Sequence, residues 1–296
     1  MRKFYTILFF AVLCGLPVLV QAQETTSSAA LSQAVLPQPV LFPKAAMPLT
    51  LAHRGLSGLA PENTLTAFKW AVAVGADSTE CDVYRTADGV PVLSHDQNTK
   101  RTTGTDADIT KITFDEVRKL DAGSWKGKQF AGEQIPTLEE YLKVLKGTKC
   151  TPIIEIKQPG TEKDIVELLG KLDMTEDVFI VSFRSKSLAE VRRLEPRVKF
   201  AHIFSWKLEG SAESNAETLA VKLMDAANKV GTNIVSLEHG MISKQLVDLL
   251  HEKGFYVWAW TVNNAPRMET LLDWKVDSIT SDRADILVEV VKQRKQ

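Results

Sequence analysis

Short apolar runs alternate with segments of helical period along most of this chain. Eight runs have strand length and strand composition, rich in Val, Ile, Phe and Thr: 49–53, 78–83, 152–157, 178–183, 199–204, 233–238, 256–262 and 276–281. Between them the period changes to that of a helix. Residues 64–74 carry Leu65, Phe68, Ala71 and Val72 on one stripe, with Asn63 as capping candidate and Gly75 as stop. Stretches 138–145, 164–172, 188–194, 217–229, 244–253 and 266–274 repeat that spacing. Strand–helix alternation sustained eight times predicts an α/β fold, a closed (β/α)8 TIM barrel rather than an open sheet.

One segment breaks the alternation. Asp88-Gly89 lies between two extended runs, which is a hairpin signal. Counting back from that turn brings His95 to about the level of Asp82 on the second strand. The stretch from about 96 to 136 then reads as an insertion after the hairpin, with one helical piece near 114–120, forming a small cap over one side of the barrel mouth. At the other end, Arg2 and Lys3 precede an apolar stretch and the small-residue site Val20-Gln21-Ala22, so 1–22 reads as a cleaved signal peptide. Residues 23–47, rich in Ser, Gln and Pro, read as an extended arm. Residues 48–296 are left for the barrel, a usual size for that fold.

Composition changes the picture little. With 296 residues, 44% hydrophobic, 25% charged and a formal net charge of −1, the chain is ordinary globular material. That charge gives no electrostatic reason to expect nucleic acid as a partner. Three cysteines cannot form a disulfide framework. Cys81 near the top of the second strand and Cys150 at the foot of the third read as buried thiols, too far apart to bridge. The leader places the protein outside the cytoplasm, secreted or periplasmic, with no stable membrane span after cleavage.

The chemistry collects at strand ends, where barrels of this class place their reactive groups. His53 and Arg54 end the first strand, and Glu155 and Lys157 the third. Period-two alternation puts Glu80 and Asp82 on one face of the second strand. Three carboxylates meeting at one mouth repel unless a cation neutralises them, and an all-oxygen set suits Mg²⁺ or Ca²⁺. Salt bridges to Arg54, Arg85 or Lys157 are the alternative use of the same acids. Two imidazoles, His53 and His95, suit the movement of protons near neutral pH. His202 and His251 read as structural or surface residues, and His239 as a possible pocket wall. Trp260, and less so Trp206, offer a flat apolar wall for an organic group, or simply core packing.

Taken in order, His53-Arg54-Gly55, Pro61-Glu62-Asn63-Thr64, Glu80-Cys81-Asp82-Val83, Asp88-Gly89, His95-Asp96, Arg101-Thr102-Thr103-Gly104, Ile135-Pro136-Thr137-Leu138, Glu155-Ile156-Lys157, Ser182-Phe183 and Trp260-Thr261-Val262-Asn263 resemble the glycerophosphodiester phosphodiesterases. The resemblance spans about 49–285. It implies metal-dependent hydrolysis of a small-molecule glycerophosphodiester to sn-glycerol 3-phosphate and an alcohol. It further implies His53 and His95 as acid and base, and Glu80, Asp82 and Glu155 as ligands of a divalent ion, Ca²⁺ or Mg²⁺. Arg54 and Lys157 become phosphate contacts, Trp260 an aromatic near the glycerol, Glu62 a supporting or substrate-lining residue, and Asn63 mainly a helix cap. A phospholipase D-like or cyclising enzyme acting on lysophospholipids would use the same groups. Two stretches depart from the family pattern: Asn98-Thr99-Lys100, and the closing Ser281-Asp282-Arg283-Ala284. Both are expected to bear on the leaving alcohol and to leave the acid–base and metal sets intact.

Overall fold

The computed structural model describes residues 49–294; the expected leader and arm lie outside the described residues. In chain order the elements are β1 (Thr50–Ala52), α1 (Leu65–Val74), β2 (Ser78–Arg85), β3 (Pro91–Leu93), α2 (Lys100–Thr103), α3 (Phe114–Val117), α4 (Leu138–Leu145), β4 (Thr151–Ile156), α5 (Glu162–Leu172), β5 (Phe179–Ser182), α6 (Ser185–Leu194), β6 (Lys199–Phe204), α7 (Ala212–Val230), β7 (Ile234–Glu238), α8 (Lys244–Glu252), β8 (Tyr256–Trp260), α9 (Ala265–Asp273), β9 (Ser278–Ser281) and α10 (Ala284–Gln293). Eight strands are parallel, and the pairing of β1 with β2 closes them into a barrel. All eight expected runs are strands. The closing helix α10, which the apolar spacing of Leu287, Val288, Val290 and Val291 supports, was not among the expected segments.

The alternation of side chains builds two cores. Leu51, Ile153, Phe179, Val181, Ala201, Ile203, Ile234 and Trp258 point into the barrel and pack there. Cys81, Val83, Ile154 and Ile156 face outward under the helices, beside Phe68, Tyr141 and Leu142. Cys81 and Cys150 are both buried free thiols. Among the described residues no helix is long and apolar enough to cross a membrane.

Local chemistry sets the element ends. Thr64, rather than Asn63, caps α1, its side chain accepting from Ala67 N–H; Asn63 sits at φ 57° and turns its amide elsewhere. Gly75, at φ 83°, closes the same helix in the left-handed region that suits glycine. At α4, Thr137 and Glu140 form a reciprocal capping box.

Strand β2 is the structural pivot. β1 occupies the lower part of one of its edges, at Ser78 and Thr79, while β3 pairs antiparallel with the upper part, Val83 to Arg85. The hairpin thus returns as its turn residues predict. Ser94 N–H donates to Asp82 O at 3.0 Å, so His95 lands one residue past that level. The insertion folds against this hairpin around Val92, Ile109, Val117, Ala122 and Ile135. Its expected helical piece is shorter, α3 ending at Val117, and the short helix α2 is an additional one. Lys126 Nζ donates to Ser57 O at 2.6 Å, tying the insertion to the loop after β1.

Candidate active site

The upper ends of β1, β2, β4, β5 and β8 surround one cavity, lined by His53, Arg54, Glu80, His95, Glu155, Lys157, Phe183 and Trp260 among others. Ligand oxygens of Glu80, Asp82 and Glu155 all lie within 4.8 Å of one another. Glu80 and Asp82 come from alternate positions of β2, and Glu155 is the register partner of Asp82 on β4.

Two cations partly neutralise these acids. Lys157 Nζ lies 3.1 Å from Glu155 Oε1 and 3.4 Å from Asp82 Oδ1, and Arg54 Nε lies 3.2 Å from Asp82 Oδ2. Asn63 holds Asp82 as well, its Nδ2 donating to Oδ2 at 2.8 Å and its Oδ1 accepting from Asp82 N–H at 3.2 Å. That is why Asn63 is not the helix cap. Glu80 is served less well. Its Oε2 accepts Arg54 N–H at 3.0 Å, but among the described residues its buried Oε1 has no hydrogen-bond partner, and buried Asp82 Oδ1 has only the Lys157 ammonium at 3.4 Å.

The electrostatics follow from this geometry. Burial, then Asp82 and Glu155, push the Glu80 carboxyl well above its ordinary range. Burial and Asp82 push Glu155 up to about 7. Burial also disfavours ionised Asp82, but Lys157 and Arg54 outweigh it and hold that carboxyl below its usual value. Three buried carboxylates converging within 4.8 Å, with Glu80 Oε1 lacking a hydrogen-bond partner among the described residues, are what a hard divalent cation satisfies, so the donor set fits such an ion.

Each cavity histidine has its Nδ1 held by a carboxylate. His53 Nδ1 meets Asp282 Oδ1 at 2.7 Å, and His95 Nδ1 meets Asp96 Oδ1 at 2.7 Å. Asp282 is itself braced by Ser57 Oγ at 3.0 Å and Asn263 Nδ2 at 2.7 Å. Burial would raise the Asp282 carboxyl, but His53 and these donors hold it well below the ordinary range. His95 is pushed down from its usual value by burial and by the Arg54 and Lys157 charges, against the opposing pull of Asp82 and Asp96. Fixing Nδ1 settles the tautomer and leaves Nε2 for chemistry.

Other expected residues fall in different places. Glu62 does not line the cavity; its carboxylate binds Arg54 Nη1 at 2.9 Å and Arg101 Nη2 at 2.7 Å. Trp260 does line it, with Phe183 edge-on at 5.6 Å. The indole Nε1–H of Trp260 has no acceptor among the described residues. Trp206 packs on Phe204 at 5.0 Å and opens onto a separate cleft with Lys207 and Lys222. His239 lies 3.8 Å from Glu238, off the cavity lining. His251 pairs with Asp277 at 2.8 Å.

Asp282 is the functional candidate that sequence reasoning missed. The sequence points the closing loop to alcohol recognition, yet β9 returns beside β1 and sets this carboxylate on His53. Its signal was present, an Asp directly after the last strand, but its partner stands 229 positions away.

Comparison with known proteins places this geometry. Residues 53–286 match the model of the glycerophosphoryl diester phosphodiesterase family. A glycerophosphodiester phosphodiesterase of Caldanaerobacter subterraneus is 32% identical over 250 residues, covering 83% of this chain and 98% of its own length. The solved structure of an Oleispira antarctica phosphodiesterase, in complex with the product sn-glycerol-3-phosphate, is 28% identical with a TM-score of 0.75, over 84% of this chain and 98% of that one. A glycerophosphodiester phosphodiesterase structure from Agrobacterium tumefaciens is 25% identical with a TM-score of 0.69, over 82% of this chain and 100% of that one.

Proposed function

The chain belongs to the glycerophosphoryl diester phosphodiesterase family and is a glycerophosphodiester phosphodiesterase, and on that footing we propose a specific division of labour at its barrel mouth. Glu80, Asp82 and Glu155 hold a divalent ion, Ca²⁺ or Mg²⁺, which when bound offsets charge on the phosphoryl oxygens. Arg54 and Lys157 orient the phosphodiester from either side of Asp82. His53 and His95 handle the protons. One takes the proton of the glycerol 2-hydroxyl as that oxygen attacks phosphorus, and the other donates to the departing alkoxide. The alcohol leaves in that step, and water then opens the resulting cyclic phosphate with the roles reversed, which yields sn-glycerol 3-phosphate. Phe183 and Trp260 form the apolar wall on the β5–β8 side. We further propose that the enzyme works outside the cytoplasm, on the strength of the leader-like sequence at 1–22.

The observation that carries this reading is the pair of imidazoles, each pinned through Nδ1 at 2.7 Å, at one cavity with three clustered, buried carboxylates. The test is a head-group panel of choline, ethanolamine, glycerol, inositol and lysophospholipid substrates. It is assayed with chelator, then with Ca²⁺ or Mg²⁺ restored, and products are identified. Chelation should abolish release of sn-glycerol 3-phosphate, and either ion should restore it. A persistent cyclic phosphate from lysophospholipid would instead indicate the cyclising reading. His53→Ala and His95→Ala should each lower kcat by about 10²–10⁴-fold; full turnover in either variant removes that residue from the mechanism.

A further inference from the structure

Arg101 lies in the insertion, on the short helix α2, and does not line the cavity. Its guanidinium nevertheless makes three contacts. Nε donates to Asp96 Oδ2 at 2.6 Å, Nη1 to Glu62 Oε2 at 2.8 Å, and Nη2 to Glu62 Oε1 at 2.7 Å. Asp96 turns its other oxygen to His95 Nδ1, and Glu62 turns Oε1 to Arg54 Nη1 as well. Arg54 in turn faces Asp82. A continuous line of charge-assisted contacts therefore runs from the hairpin histidine, through the insertion, to the guanidinium beside the acid cluster.

We propose that Arg101 is a positioning residue for the reaction: it locks Asp96 onto His95 and Glu62 onto Arg54 at once, so that the insertion sets the distance between the proton-handling and phosphate-binding groups. The inference rests on the reading of His95 as an acid–base group. The two histidines differ here. Asp282 on His53 is braced by neutral donors, Ser57 and Asn263, whereas Asp96 on His95 is braced by a cation that also carries a second carboxylate. The planar fork of arginine engages two carboxylates along different edges. A lysine ammonium is a single point charge and cannot reproduce both engagements. Simple stapling of the insertion is a weaker account, because neither carboxylate stops at Arg101: each continues to a cavity side chain.

The test uses Arg101→Gln and Arg101→Lys, with circular dichroism and Tm to confirm folding. Arg101→Gln should lower kcat by about 10–100-fold with KM nearly unchanged. Arg101→Lys should keep the fold but recover only part of that loss, and it carries the test if the glutamine variant does not fold. Two double mutants supply a readout that stapling would not move. The losses of Arg101→Gln and Asp96→Asn should overlap, the pair being little worse than the more damaging single change. The losses of Arg101→Gln and Asp282→Asn should multiply. Wild-type kcat in a folded Arg101 variant, or a loss that multiplies with that of Asp96→Asn, overturns the inference. His95→Ala separates the two levels: if it keeps turnover, the acid–base reading fails, and if it is inactive while Arg101→Gln is unaffected, only the inference about Arg101 fails.

Discussion

At the residue scale, function depends on which nitrogen each imidazole presents. Asp282 fixes His53 by accepting at Nδ1, and the braces from Ser57 and Asn263 leave that carboxylate little freedom to turn. An amide at 282 presents either oxygen or NH₂ to the ring and so permits the wrong tautomer. Asp282→Asn is expected to lower kcat by about 10–100-fold with little change in KM. Steady-state kinetics decide it; an unchanged kcat means the contact is not used. The acids and histidines themselves were legible because each leaves a local mark: a period-two pair on β2, a count back from Asp88-Gly89, a strand ending in Glu155-Ile156-Lys157. Their partners were not. Asp282, Asn63 and the Glu62–Arg101 pair are defined by contacts across 19 to 229 positions of chain, which no local pattern encodes.

At the scale of elements, the two strands that carry the acids share a fault with a remedy. Pro152 on β4 sits opposite Thr79 on β2 and has no N–H to offer the ladder. Tyr141 from α4 fills the gap: its hydroxyl donates to Thr79 O at 2.5 Å and accepts Ile153 N–H at 3.1 Å. This phenol therefore stitches together the strands bearing Glu80, Asp82 and Glu155. Tyr141→Phe keeps the ring packed on Phe68 but leaves two buried backbone groups unpaired, at a cost of about 1–3 kcal/mol each. Lower denaturation midpoints, with weaker ion binding by calorimetry, are the expected result. Unchanged values for both would mean that the strands hold their register without the phenol. The strands were legible as a set because parallel strands buried on both faces read as compact apolar runs. Element ends were less so, since caps such as Thr64 and stops such as Val117 depend on single side chains and on packing against the hairpin.

At the scale of the molecule, two members of the acid cluster, Glu80 and Glu155, oppose folding in their ionised forms while no ion is bound. Glu155 holds its proton more tightly in the native state, up to about 7, than in the unfolded chain near the ordinary value of 4.5. The native state therefore binds more protons across that window, and stability falls as pH rises through it. Without ion, this group makes the protein less stable at pH 8 than at pH 5.5, and Glu155→Gln should remove that component. An ion at a hundredfold excess over its Kd should restore about 2.7 kcal/mol at pH 8 and less at pH 5.5, where protons compete for the same oxygens. Thermal melts with chelator and with ion at both pH values check this; an equal gain at both contradicts it. The last strand, β9, docks on the first, β1, and so sets Asp282, just beyond β9, on His53, just beyond β1. A polypeptide truncated before β9 accordingly retains every acid of the cluster but lacks the carboxylate that orients His53, so the proton-handling pair is complete only with nearly the whole domain.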